Sequence, residues 1–193
     1  MAIGKKTTQI MIRIMEKLLE TEDMDESLAG SLELLVSATE SQAGALWVLD
    51  EAGGRYYPMF FMGEADLTNQ SIQNGEYTEG KTAADGQTRT LPGAAGETDG
   101  SAFETAGIRV RNMICVPLKN AGRTIGAMTV ADKKEGRDYS ADEMRLCEQM
   151  AAHPRGRSPT FGIETPFPST YPGTSTTHSS GRLVIVPLFI TLK

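Results

Sequence analysis

Two pairs of short apolar runs, each wrapped around a glycine-bearing turn, constrain this chain more than any other feature. The first pair is ALWVLD (45–50) and RYYPMFFM (55–62), separated by EAGG. The second is VRNMICVPLKN (110–120) and TIGAMTVADKK (124–134), joined through NAGR. Runs of β-branched and aromatic residues that stop at Gly and Asn read as strands, and this spacing reads as hairpins. An antiparallel sheet is therefore the scaffold on which everything else is placed. Within it Pro117 cannot donate to a ladder and belongs at an edge or bulge, while Gly126 marks a place where the sheet meets a close neighbour.

Helical patterns flank these pairs. KKTTQIMIRIMEKLLE spaces Ile10, Met11, Ile14, Met15, Leu18 and Leu19 on one side, which predicts an amphipathic helix within residues 1–22. TEDMDESLAGSLELLVSATE follows, with Asp23 and Glu26 at capping-box spacing and Leu28, Leu32, Leu35 and Val36 as the apolar stripe. After the second hairpin, Ser140 and Glu143 form another capping box, opening a helix with Met144, Cys147, Met150 and Ala151 on one face. Helix, helix, hairpin, irregular middle, hairpin, helix is an α+β layout around an antiparallel sheet.

The middle is harder to read. A short polar helix is expected at 64–72, and in 74–102 Leu91 is the one large aliphatic residue, so that stretch reads as a long loop or a poorly packed excursion. It contains GEYTEGKT (75–82), which fits the phosphate-loop template G-x-x-x-x-G-K-[ST]. A working phosphate loop needs a buried strand before it and a helix after it, so that backbone N–H groups face the anion. LTNQSIQN before it and AADGQTRTLPGAAG after it supply neither, and Glu76 and Glu79 would put two negative charges in the cradle. The preferred reading is a loop without nucleotide chemistry, with ATP hydrolysis as the weaker alternative.

Composition narrows the function classes. A net charge of −6 offers no basic footprint for a phosphodiester backbone, so nucleic acid is not expected as a partner. No stretch of roughly 18 apolar residues occurs, so no membrane insertion is expected. Two cysteines, Cys115 and Cys147, are too few for a disulfide framework; they read as small core residues of a cytoplasmic chain. His153 and His178 have no companions at metal-ligand spacing. From His153 onward the text changes: residues 153–193 hold six of the nine prolines, many Ser and Thr, and Glu164 as the sole acid. This tail reads as non-native or disordered sequence, with LVIVPLFITL as a candidate strand or sticky end.

Residues 106–152, AGIRVRNMICVPLKNAGRTIGAMTVADKKEGRDYSADEMRLCEQMAA, resemble the C-terminal half of a GAF domain. The resemblance lies in Val116-Pro117-Leu118, Gly122, Ile125-Gly126-Ala127-Met128-Thr129-Val130 and Tyr139-Ser140, and MDESLAGSLELLVSATESQAGALWVLDEAGG is similar to the family's entry helix and first strand. It implies a GAF-like fold over 23–152: a central antiparallel sheet with N- and C-terminal helices on one face and an irregular loop and helix segment on the other. It also implies a non-catalytic small-molecule-sensing or regulatory module of bacterial signalling proteins, or a ligand-free dimerisation unit of the same fold. Terminal helices in the family often pair between protomers, which makes Ile10, Ile14 and Leu18 the expected homodimer seam. Phe61, Phe103, Met113 and Thr129 are expected to face a pocket, with Lys81 above it as a lone flexible cation. No cofactor is named by the resemblance. Asp132-Lys133…Tyr139…Asp142-Glu143 departs from the cyclic-nucleotide signature N-K…F-x-x-x-D-E, and neither cysteine is followed by the histidine of the bilin binders.

Overall fold

The computed structural model describes residues 24–50, 54–64, 66–92, 100–120, 122–152, 176–178 and 181–185. Both hairpins are present. β1 (Ser41–Asp50) pairs with β2 (Arg55–Met62), and β5 (Met113–Asn120) pairs with β6 (Arg123–Lys133); β6 then joins the hairpins by pairing with β1. Gly54 and Gly122 take positive φ at the two turns, as tight hairpins require. β4 (Arg89–Leu91) lies along β5, and β3 (Ile72–Gln73) along the start of β2. The order across the sheet is β4-β5-β6-β1-β2-β8-β7, where β7 (Thr176–His178) and β8 (Gly181–Ile185) form a hairpin whose β8 pairs with Phe60–Met62. β8 includes the start of the apolar run LVIVPLFITL.

Both faces of the central sheet are buried, which is why its strands read as near-continuous apolar runs. Side chains alternate across a strand. Leu46, Val48, Ile114, Val116, Leu118, Met128 and Val130 therefore point to one face, and Ala45, Trp47, Met113, Cys115, Ala127 and Ala131 to the other. On the first face lie α1 (Met24–Ala38) and α4 (Ala141–Ala151), contributing Leu28, Leu32, Leu35 and Val36 from one and Leu146, Cys147 and Ala151 from the other. Burying each large aliphatic side chain here is worth about 1.5–3 kcal/mol. α4 opens with the expected capping box: Ser140 Oγ accepts from Glu143 N, and Glu143 Oε2 accepts from Ser140 N at 2.8 Å. Both oxygens of Glu143 also bind Lys133 Nζ, at 2.7 and 2.8 Å. The pair occupied by Lys133 and Glu143, part of the departed cyclic-nucleotide signature, thus ties the end of β6 to the start of α4.

Pro117 and Gly126 sit as anticipated. β4 covers only Met113–Cys115, so Pro117 lies past its end on the stretch of β5 that has no second strand neighbour among the described residues. A Cβ on Gly126 would collide with the Trp47 carbonyl.

Two expectations for the middle are corrected. Residues 66–71 form turns and not a helix, because Asp66 Oδ1 accepts from both the N–H and the hydroxyl of Thr68, a local alternative to helical bonding. Residues 74–92 are not an unpacked excursion: they contain α2 (Tyr77–Asp85) and β4, and residues 100–106 supply α3 (Ala102–Thr105). α2 and α3 cover the second face of the sheet. The predicted seam at Ile10, Ile14 and Leu18 falls outside the described residues, as does most of the 153–193 tail. Among the described residues no helix is long and apolar enough to cross a membrane.

Candidate functional site

The octapeptide GEYTEGKT builds the lid of this second face. Gly75 turns the chain at φ +77°, Glu76 Oε2 accepts from Gln73 N at 2.7 Å, and Tyr77 enters the helix at φ +53°. Gly86 ends the helix in the left-handed region, its N–H reaching the Thr82 carbonyl. Gly80 is required mid-helix, where a Cβ would run into the Gln73 carbonyl. Gly80-Lys81-Thr82 therefore lies inside a helix, with Gly80 N already bonded to Glu76 O at 2.9 Å. No backbone cradle for a phosphate remains there.

α2 buries Thr78, Glu79, Gly80, Thr82 and Ala83, mostly polar residues. Two ties explain how. Thr78 donates from both N–H and hydroxyl to the Gly100 carbonyl, at 3.2 and 2.9 Å. Glu79, with no exposure, accepts from Ser101 Oγ at 2.6 Å and from Ala102 N at 3.1 Å. Ser101 is at the same time the N-cap of α3, accepting from Phe103 N. Burial pushes the Glu79 carboxyl above its ordinary range, and the Ser101 and Ala102 hydrogen bonds only partly offset this.

The sequence-predicted residues converge on this face. Phe61, Phe103 and Met113 belong to one buried cluster, and Ser101 Oγ lies 3.6 Å from the Met113 sulfur. Thr129 is fully buried and donates to Cys115 Sγ at 3.4 Å. Lys81 is half-buried on α2, between Gly80 and Thr82, as a helical residue and not a loop cation. Burial pushes the Cys115 thiol up to about 12, with Glu79 adding to the shift, and it pushes Cys147 on the opposite face to about 12 as well. Both thiols behave as core residues, since the thiolate is the reactive form.

Sequence reasoning missed Glu79, Ser101, Thr82 and Trp47. Trp47 Nε1 and Thr82 Oγ1 are buried without a hydrogen-bond partner. Thr82 does sit close enough to the Cys115 thiol to favour its thiolate slightly, but not with hydrogen-bond geometry. Strand alternation in ALWVLD was a usable signal for Trp47, because it sets Trp47 opposite Leu46. Nothing in YTEGKTAAD marked Glu79 as interior.

A comparison with curated protein sequences found no match. Solved structures do match. The GAF domain from a phosphoenolpyruvate-protein phosphotransferase of Coxiella burnetii superposes with a TM-score of 0.69 at 16% identity, covering 79% of this chain and 92% of that one. Free methionine-R-sulfoxide reductase from Neisseria meningitidis, solved with its substrate, gives 0.65 at 19% identity over 78% and 88%. The GAF domain of A. aeolicus nlh2 in an inactive state gives 0.59 at 17% identity over 76% and 91%. These likenesses show a shared fold. The sequence profile of the GAF domain matches residues 21–153, the span that contains both hairpins, the lid helices and the two outer helices, and this chain belongs to that family.

Proposed function

We propose that the domain is a non-catalytic regulatory module of a cytoplasmic signalling protein, and that it senses a small molecule held between the sheet and α2–α3. One observation carries this reading. Two hydrogen-bonding side chains on that face, Trp47 and Thr82, are fully buried with an unsatisfied polar atom each. Leaving such an atom unpaired costs about 1–3 kcal/mol, a penalty that a bound acceptor removes. Thiols held near 12 offer no nucleophile at neutral pH, which favours sensing over chemistry despite the reductase among the structural neighbours. Pairing of two copies through Ile10, Ile14 and Leu18 completes the reading, as the route by which a bound state reaches an output.

A second reading, a ligand-free dimerisation unit, is favoured by the way Trp47, Phe61 and Phe103 fill the same face, each at 2% exposure or less. Thermal-shift measurements against cyclic nucleotides and common metabolites, with native mass spectrometry of the protein as purified, separate the two. Sensing predicts a saturable rise in midpoint or a co-purified mass. A flat panel, a clean mass and a concentration-dependent dimer would establish the second reading instead. Phosphate-loop chemistry predicts an ATPase lost on Lys81→Ala, and an inactive parent protein disposes of it.

A further inference from the structure

The floor of the α2–α3 face is made of small side chains. β1 contributes Ala43 and Ala45, and β6 contributes Ala127, Thr129 and Ala131. Trp47 flanks this floor on β1, and Cys115, with Thr82 beside it, flanks it on β5. β6 runs between them, so β1 and β5 are about 10 Å apart at ordinary strand spacing, with Trp47 beside Ala127 and Cys115 beside Thr129, two positions further along. Phe61 and Phe103 pack into the same buried cluster.

Resting on the sensing reading above, we propose that the ligand is a flat, uncharged molecule bearing hydrogen-bond acceptors, received by Trp47 Nε1 and Thr82 Oγ1 above Ala127 and Thr129. The indole N–H can only donate, so its partner is a carbonyl or amide oxygen or a ring nitrogen. An anion finds little support here. Among the described residues Lys133 is the one buried cation, and it is bound to Glu143 of α4. Half-buried Arg89 is paired with Asp85 at 2.6 Å, and the carboxyl of Glu79 lies within the face itself. A cation is no better placed, because both Glu79 oxygens are already taken by Ser101 and Ala102. A desolvated charge without a partner is costly. A neutral ring system avoids that cost and suits the aromatic neighbours Phe61 and Phe103.

Benzamide, benzoate and benzamidine share one shape and differ in charge, so they test the class directly. Each is titrated into the full chain and into the Thr82→Val and Trp47→Phe variants, with thermal midpoint and NMR line shifts as readouts. Benzamide is expected to bind the parent protein at least about tenfold more tightly than either charged analogue, and each substitution is expected to weaken it about five- to tenfold, the worth of one hydrogen bond. Benzoate binding as well as benzamide would overturn the proposal and point to Lys81 or Arg89; benzamidine doing so would point to Glu79. Benzamide binding equally to all three proteins would overturn the role of the two donors. Thr82→Val is nearly isosteric and keeps the test decisive where Trp47→Phe fails to fold. Should none of the three probes bind while a metabolite still shifts the parent and both variants alike, the ligand class falls and the sensing reading stands. A flat response to every compound overturns both.

Discussion

The face under α1 and α4 and the face under α2 and α3 are carried by the same strands, yet they are buried by different means. The first is lined by Leu, Val and Ile, and its polar groups sit at the edge with partners: Thr39 Oγ1 and Ser41 Oγ are 2.7 Å apart, and Ser41 Oγ lies 2.8 Å from the Tyr139 hydroxyl. The second mixes alanines and aromatics with Glu79, Ser101, Thr82 and Thr129, and leaves two polar atoms unpaired. Non-directional packing holds one face, whereas the other depends on a few hydrogen bonds that must be satisfied one by one. An apolar platform is thereby combined with a covering layer fastened by Thr78, Glu79 and Ser101.

That contrast can be broken by measurement. The largest loss is expected for Leu32→Ala or Leu35→Ala, about 3 kcal/mol each in urea denaturation, from lost burial and the cavity left behind. A smaller loss than that of the lid variants would refute the division. Next comes Glu79→Ala at about 2 kcal/mol, because Ser101 Oγ and Ala102 N–H lose their acceptor inside the protein. Glu79 also gives the lid a pH dependence. Its folded carboxyl is raised above the ordinary 4.5, so its contribution is fully present below that value and is lost as pH rises through the folded value. Glu79→Gln should flatten this slope above pH 4.5, and an unchanged slope would mean that another group titrates. Ser140→Ala removes one half of a capping box and should cost about 1 kcal/mol, with no effect on ligand binding at the other face. The smallest effect has the opposite sign. Thr82→Val deletes an unpaired buried hydroxyl and should leave the ligand-free protein unchanged or up to about 1 kcal/mol more stable.

How legible each face was in the sequence follows from the same difference. Leu28, Leu32, Leu35 and Val36 announce α1 by their spacing, and Ser140 with Glu143 announces α4, because packing and capping leave periodic or local marks. α2 leaves neither. Its buried residues are Thr78, Glu79, Gly80, Thr82 and Ala83, so hydropathy sees a polar loop, and its interior position depends on Ser101 and Gly100, some twenty residues away. The Ala-Ala-Asp-Gly ending at Gly86 was the one local sign of a helix. Phe61, Phe103, Met113 and Thr129, chosen by strand and chain position, all lie buried on this face, while Glu79 was read as a charge in a phosphate cradle and proved to be the bolt between two lid helices.

Trp47 is the chain's only tryptophan, and it lies with no exposure on the hydrogen-bond-dependent side of the sheet. Tryptophan emission, excited where tyrosine does not absorb, is therefore a reporter of that side alone. Emission should be blue-shifted in the native protein, should respond to whatever occupies the indole N–H, and should move to the red when α2 and α3 lift even while α1 and α4 stay packed. Comparing it with far-ultraviolet ellipticity would then distinguish opening of the lid from unfolding of the whole domain without any label.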